Sequence, residues 1–271
     1  MEKEATSGTN TSTSFGHRFS GWSVWVEPCP KDKIDIQCEM NHLTHLCGGM
    51  EASPPFELHC TLLYNFKPPK ECHTKQEKEC YGNQMLDECW TLYQERMKST
   101  RSDDDQEERN IVLNPTSYYY FPYPKEADNG QGFGCVISLL LLENTDELNG
   151  LHKAAMDTFP PDERHCNAKE ILTDGQDLSV KKSHDNNAVQ DPEEDATEEP
   201  ETKDEDGKFV PHMALIYAPE MYGETVQTYT EEELKVRKSH LLKPFKGHWL
   251  SLWSTEGQLE DWYLIARRPL L

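Results

Sequence analysis

The chain has no long apolar run and no segment with the pattern of a targeting signal. Its longest apolar run, Cys135 to Leu142, is interrupted by Ser138 and is far shorter than the roughly 20 apolar residues that a membrane helix needs. Residues 1–19 are rich in Ser, Thr and Gly and contain neither the basic nor the apolar stretch of a secretory signal. The sequence therefore predicts a cytoplasmic protein that does not span a membrane and begins with a disordered leader over residues 1–19.

Basic residues are scarce. The chain has 27 Lys and Arg against 49 Asp and Glu, which gives a formal net charge of -22. Long nucleic acids are bound mainly by Lys and Arg that neutralise phosphates, so this charge argues against a polymer-binding role. A small phosphate ligand is still compatible, because its site needs only local donors. We expect a monomer whose partner is a small molecule rather than a long nucleic acid or a membrane.

The cysteines form no short-spaced pair. The chain has nine of them, an odd number, and no CxxC sequence. A disulfide framework and a structural zinc site are therefore both disfavoured. The nearest approach to a zinc-ligand pattern is Cys72 and His73 together with Cys80 and Cys89. We expect reduced thiols and no metal or other cofactor.

Strand-like and helix-like segments alternate along the chain. Strands are predicted at residues 22–26, 57–66, 133–142, 210–218, 249–253 and 262–267, and helices at residues 34–47, 86–97, 145–159 and 231–238. The third helix has an Asn144/Thr145 cap followed by acidic residues in its first turn. Short segments in this order indicate an α+β fold with antiparallel sheets.

Acidic segments interrupt this pattern. Residues 185–206 contain eleven Asp and Glu against one Lys and almost no large apolar residues. Such a segment buries too little apolar surface to fold, so we predict a disordered insert over about residues 162–208. The rest of 20–271 is expected to form a single domain.

Two segments that lie 153 residues apart share one pattern, His59 to Tyr64 (HCTLLY) and His212 to Tyr217 (HMALIY). Both lie in predicted strands, where alternate side chains share a face, so His59 and Thr61 are expected to act on one ligand. Similar letters follow His42 and His152. These two histidines lie in predicted helices, where residues i and i+2 diverge by about 200° and do not address one group.

The paired motifs resemble those of the cyclic phosphodiesterase-like family of the two-histidine phosphoesterase superfamily, which carries two H-x-[T/S]-x strands. Further segments fit the family order: Ser23–Trp25, Phe56–Leu62, Gly134–Val136, Glu147–His152, Pro211–Tyr217 and Asp261–Trp262. The resemblance covers roughly residues 21–271 without the acidic segments. It implies two lobes, each an antiparallel sheet with helices outside, with the motif strands lining a central cleft.

The resemblance also implies an activity: metal-independent hydrolysis of a 2′,3′-cyclic nucleotide or of ADP-ribose 1″,2″-cyclic phosphate to a phosphomonoester. His59 and His212 are then the catalytic pair, with His212 as base and His59 as acid by analogy, although the residues themselves do not order them. Thr61 supplies a donor to the phosphate. Ala214 stands at the family's second hydroxyl position, so that donor is missing.

Ring opening by water needs a base, an acid and donors for the phosphoryl oxygens, which two histidines and Thr61 supply. One histidine is then expected to be neutral and the other protonated in the free protein. The Tyr and Phe residues between 118 and 123, Tyr120 among them, and Phe133 are candidates for stacking on a base, unless they serve only as aromatic strand core. Three different roles compete with hydrolysis: a non-catalytic cyclic-phosphate-binding module weakened by Ala214, an acidic interaction scaffold over 185–206, and two histidines that are purely structural.

Overall fold

The computed structural model describes residues 21–67, 69–99, 111–123, 134–159 and 209–270. The predicted leader, the acidic insert and Phe133 lie outside the described residues. All described residues except Phe209 fall in one compact unit. The domain limits expected from the sequence stay predictions.

The described residues form one antiparallel sheet. Its eight strands are β1 Trp22–Pro28, β2 Cys60–Phe66, β3 Val112–Leu113, β4 Pro115–Tyr123, β5 Cys135–Leu142, β6 His212–Pro219, β7 Phe245–Ser254 and β8 Tyr263–Pro269. The order across the sheet is β3-β7-β1-β2-β6-β5-β4, and β8 also pairs with β7. Every pairing is antiparallel, which confirms the predicted mixed α and β class with antiparallel strands.

Four α-helices lie among the described residues: α1 Ile34–Leu46, α2 Lys75–Ser99, α3 Asp146–Thr158 and α4 Gly223–Thr228. α4 continues as a π-helix over Tyr229–Arg237, and single 3-10 turns lie at Glu220–Tyr222, Ser239–Leu241 and Leu259–Asp261. Thr145 caps α3 as predicted, since its hydroxyl accepts a hydrogen bond from the backbone N–H of Leu148 at 3.2 Å. The predicted helix over 231–238 begins earlier, at Gly223, because burial of Val226 and Tyr229 outweighs their weak helix propensity.

Helices pack on one face of the sheet. Gly82 in α2 lies so close to β7 and β8 that a Cβ there would be 3.0 Å from side-chain atoms of Leu252 and Ile265. On the other half of the sheet, Ser138 of β5 shares a 2.8 Å hydrogen bond with Thr230 of the π-helix. Because side chains alternate along a strand, the neighbours of Leu252 and Ser138 point to the opposite face. That opposite face carries the histidines of the two motifs, as the register shows.

The two motif strands have the same register with their neighbours. From the residue after the histidine onward, each strand makes two consecutive pairs and then skips one residue before pairing resumes, although His212 itself also pairs, with Leu141, whereas His59 does not pair with β1. The pairs are Cys60↔Val26, Thr61↔Trp25 and Leu63↔Val24 in one half, and Met213↔Leu140, Ala214↔Leu139 and Ile216↔Ser138 in the other. The skipped residues, Leu62 and Leu215, form β-bulges at equivalent positions. The sequence repeat is therefore also a repeat in strand pairing.

Candidate functional site

The motif strands β2 and β6 are neighbours in the sheet. The strand predicted over 57–66 begins only at Cys60, so His59 lies immediately before β2, whereas His212 is the first residue of β6. They pair through Cys60↔Met213, and both of these side chains are fully buried. Residues that pair directly in an antiparallel ladder point to the same face. The residues on either side of Cys60 and Met213 therefore share the opposite face, away from the helices.

That opposite face brings together four of the residues predicted for the site. Continuing the register by one residue in each direction sets His59 beside Ala214 and Thr61 beside His212. The two histidines are then diagonal neighbours across the junction of β2 and β6, at a spacing that long and aromatic side chains bridge. The structure thus places both imidazoles on one surface of the sheet, with Thr61 on the same surface beside His212.

Each imidazole is held in the same way. Nδ1–H of His59 donates to the backbone carbonyl of Glu57 at 2.5 Å, and Nδ1–H of His212 donates to the carbonyl of Val210 at 2.9 Å. A carbonyl oxygen can only accept, so Nδ1 carries the proton in both rings. Nε2 of each neutral ring then has a free lone pair. This arrangement suits proton transfer through Nε2 at both residues.

The surroundings of the two rings differ. His59 is 3% exposed, and its ring stacks on Trp25 with centroids 3.5 Å apart and planes inclined by 9°. The ring of Phe56 lies edge-on to the same imidazole, with ring centroids 6.1 Å apart. His212 is half-buried and makes no comparable ring contact with any described residue. One histidine is therefore tightly enclosed, whereas the other is partly accessible.

Burial lowers the pKa of both histidines. It brings the pKa of His59 to about 3, opposed by the hydrogen bond to Glu57 and assisted by the positive charges of His212 and Lys33. Burial also lowers the pKa of His212 against the opposing hydrogen bond to Val210. Both rings are accordingly neutral near pH 7 in the unliganded protein. The sequence led us to expect one protonated ring, because it did not show this burial.

Thr61 carries a hydroxyl on the sheet face of the motif histidines. Its side chain is half-buried, and its hydroxyl makes no hydrogen bond with any residue that the structure describes. Thr61 pairs with Trp25 across β1 and β2 and shares the face of His59. The hydroxyl is therefore available to a ligand oxygen held between the histidines.

Ala214 shares the face of His212 but lies under apolar cover. It is 4% exposed and belongs to a cluster with Leu139 and Leu259. Trp262 and Phe56 pack against the same cluster. The side chain at position 214 is therefore surrounded by apolar atoms, and a ligand oxygen does not reach it in this arrangement.

Comparison with known proteins does not assign the chain to a family. Neither a family model nor a curated protein matches it. The resemblance to the two-histidine phosphoesterases therefore rests on the motif residues, and the function is inferred from the site itself.

The structure does not bring Tyr120 together with the histidines. Tyr120 pairs with Ser138, and its hydroxyl lies 3.3 Å from the point where a Cβ on Gly223 would be, so it faces the helices. Its neighbours Tyr119 and Phe121 point the other way and pack on the cluster that contains Ala214. The base-stacking role predicted for Tyr120 therefore has no support from its position. Phe133, also a candidate, lies outside the described residues.

Aromatic side chains that the sequence analysis did not select surround His59 instead. Besides the stack on His59, Trp25 lies 4.8 Å from Trp253 and 5.7 Å from Trp262, measured between ring centroids. Trp262 also lies 6.4 Å from Phe56. Period-two alternation in β1 would have placed Trp25 on one face of its strand. The strand order that brings it beside His59 is a long-range feature that no local pattern gives.

Neither of two surface depressions in the described part of the chain is lined by His59 or His212. One, of about 380 Å³, is lined by His73, Lys75, Lys78, Tyr263 and Leu264. The other, of about 360 Å³, is lined by residues of α1, α4 and the π-helix, including Leu46 and Glu224. The size of a depression does not by itself identify a catalytic site, and neither lining contains a pair of imidazoles that could act as acid and base. The central cleft expected from the resemblance stays a prediction.

No group of three or more His, Cys, Asp or Glu within the described ranges is arranged to hold a metal ion. Cys72 and Cys80 lie near the surface, whereas Cys89 is buried, so the zinc pattern considered from the sequence does not assemble there. No described helix is both long and apolar enough to cross a membrane.

Proposed function

We propose that this protein hydrolyses a small cyclic phosphodiester to a phosphomonoester, with His59 and His212 as the acid and base and without a metal ion. The substrate is a 2′,3′-cyclic nucleotide or ADP-ribose 1″,2″-cyclic phosphate. The observation that carries the proposal is the pair of imidazoles at the junction of β2 and β6, each bound through Nδ1–H to a carbonyl and neither hydrogen-bonded through Nε2 to a described residue. We also expect the protein to act as a cytoplasmic monomer.

The reaction follows from these groups. One neutral Nε2 takes a proton from water as the water oxygen bonds to phosphorus. The bond from phosphorus to one ribose oxygen breaks, and the other imidazole, protonated at Nε2, gives that oxygen its proton. The Thr61 hydroxyl donates to a non-bridging oxygen, where negative charge grows in the transition state. The product is a phosphomonoester with a free ribose hydroxyl.

The acid must first gain a proton. The family resemblance implies His59 as acid, yet burial holds its pKa at about 3 in the unliganded protein. The negative charge of a bound phosphodiester favours the protonated imidazole and offsets part of this desolvation. Turnover by this route therefore requires that the bound ligand raise the pKa of His59 enough for the imidazole to take up a proton.

A second candidate function is binding of a cyclic phosphate without turnover. Two observations favour it: His59 is buried and neutral, and position 214 has no hydroxyl and lies under apolar side chains. Both reduce catalysis while the Thr61 hydroxyl and the remaining imidazole still offer contacts to a phosphate. The two candidates share one ligand class and differ only in whether product is formed.

A substrate panel distinguishes these candidates. Purified protein is incubated with each of the four 2′,3′-cyclic nucleotides and with ADP-ribose cyclic phosphate, with a chelator present, and phosphomonoester is measured. Under the first candidate, His59→Ala and His212→Ala each abolish turnover. His42→Ala is the matched control, because His42 begins an H-x-T sequence on α1 and should leave turnover unchanged. Binding by calorimetry without product supports the second candidate, and absence of both rules out both.

A further inference from the structure

Glu27 is a buried carboxylate on the same sheet face as the histidines. It lies two residues after Trp25 in β1 and is 4% exposed. One carboxylate oxygen accepts from Nε1–H of Trp253 at 3.0 Å, and the other accepts from the guanidinium of Arg267 at 2.7 Å. An apolar side chain of similar volume is often as stabilising as a buried ion pair. Stability alone therefore does not account for a carboxylate at position 27, and the hydrogen bonds that Glu27 makes are the feature to explain.

These contacts continue as far as His59. Trp253, whose indole N–H is bound by Glu27, stacks on Trp25 with centroids 4.8 Å apart and planes inclined by 22°. Trp25 in turn stacks on the imidazole of His59 at 3.5 Å. Arg267 completes the series from the other end, with its side chain 32% exposed. A continuous row of direct contacts thus joins a surface arginine to the buried histidine.

The stack restricts the His59 ring. An imidazole lying parallel to an indole at this distance does not turn about its Cβ–Cγ bond unless Trp25 moves, because the interior is closely packed. The hydrogen bond from Nδ1–H to Glu57 fixes which nitrogen points away from that carbonyl. The two restraints together fix the orientation of the ring, with Nε2 as the nitrogen that is not bonded to that carbonyl.

We propose that Glu27 and Arg267 are positioning residues of the histidine site: they anchor Trp253, and the Trp253–Trp25 stack holds His59 with Nε2 directed at the ligand. Neither residue touches the ligand in this scheme. The role in catalysis rests on the proposed function, whereas the role in ring orientation does not. The two are therefore measured separately.

Three variants test the anchor. Trp253→Phe keeps an aromatic ring for stacking but removes the N–H that Glu27 accepts. Glu27→Ala removes the acceptor, and Glu27→Gln restores a carbonyl oxygen without the charge. Arg237→Met is the matched control, since it breaks an ion pair with Glu233 that lies within the π-helix.

The first measurement is an NMR pH titration of the His59 ring, including the nitrogen shifts that report its tautomer. In Trp253→Phe and Glu27→Ala we expect the midpoint to rise toward the ordinary histidine value, because water reaches a ring that Trp25 no longer covers. Glu27→Gln should recover most of the wild-type behaviour, and the double variant Glu27→Ala with Trp253→Phe should be no worse than the worse single variant. An unchanged midpoint and tautomer in folded Trp253→Phe would overturn the proposal.

The second measurement is turnover of the best substrate in the panel. We expect kcat to fall on the order of 10- to 100-fold in Trp253→Phe and Glu27→Ala with KM nearly unchanged, because misplacement of a reacting group mainly affects the chemical step. An equal loss in Arg237→Met would show a general effect of stability instead. If wild-type protein shows no turnover, the proposed reaction fails while the NMR titration still decides the positioning role. If Glu27→Ala does not fold, Trp253→Phe decides it, because that variant leaves the Glu27–Arg267 pair intact.

Discussion

Replacement of His59 by Gln should make the protein less sensitive to acid. The pKa of His59 falls from the ordinary 6.5 to about 3 in the folded chain, chiefly through burial. Between these two pH values the unfolded chain binds a proton that the folded ring does not, so protonation favours unfolding. The stability associated with the neutral ring is fully present above pH 6.5 and is lost progressively as the pH falls toward 3.

The magnitude follows from the linkage relation. One pH unit corresponds to about 1.4 kcal/mol for one proton, so the displacement from 6.5 to about 3 corresponds to about 5 kcal/mol in total. At about pH 5 the unfolded ring has already contributed about 2 kcal/mol toward unfolding. The burial of His59 means that solvent screening reduces this figure little. A loss of this size is a large part of the roughly 5–15 kcal/mol that stabilises a typical domain.

The assay is urea unfolding of wild type and His59→Gln at about pH 8 and about pH 5, which gives four free energies of unfolding. The wild type should lose about 2 kcal/mol more than the variant between the two pH values. Any packing loss caused by Gln is present at both pH values and cancels in this double difference. Equal pH dependence in the two proteins would refute this expectation, because it would mean that the folded ring titrates like an unfolded one.

Four further outcomes are expected. Thr61→Ala should lower kcat about 100- to 1000-fold through loss of one phosphoryl-oxygen donor, with the urea midpoint nearly unchanged; a similar loss of stability would indicate a structural role. On the sequence alone, Ala214→Thr would restore a donor. In the structure we expect it to destabilise the folded protein by about 1–3 kcal/mol, because the added atoms enter an apolar cluster. A gain in turnover with unchanged stability would contradict this. Lys33→Gln should raise the pKa of His59 in an NMR titration, because it removes a nearby positive charge. Glu57→Gln should lower that pKa further, because it removes the carboxylate paired with Lys33. Shifts of the same sign in the two variants would show that structure rather than charge is responsible. Turnover measured with and without EDTA should be equal, and inhibition reversed by zinc would require a metal site.

Local signals in the sequence were enough to predict the elements that carry the motifs. The Thr145 cap of α3 and the recurrence of buried Leu86, Cys89 and Trp90 along α2 both depend on residues within a few positions of one another. The face shared by His59 and Thr61 follows from period-two alternation, which continues back to His59 although β2 itself begins at Cys60. The antiparallel class followed from the order of these elements.

Features that depend on strand order were not predictable in this way. Tyr120 and Tyr119 look equivalent in the sequence, yet the register with β5 turns Tyr120 toward the helices. A shift of one residue in that register would exchange the two faces, and no local pattern in β4 specifies it. The burial of His59 and the apolar cover over Ala214 likewise come from segments far away in the chain, such as Trp25 and Leu259.

The repeated strand register has a consequence for the two histidines themselves. Equivalent backbone frames hold them, but Trp25 pairs with Thr61 where Leu139 pairs with Ala214. A flat indole restrains a neighbouring ring more than an aliphatic side chain does, so identical imidazoles become unlike through one adjacent residue in each half. The repeated register thus holds two imidazoles in matched backbone positions, and the residue on the neighbouring strand makes one of them more restrained than the other.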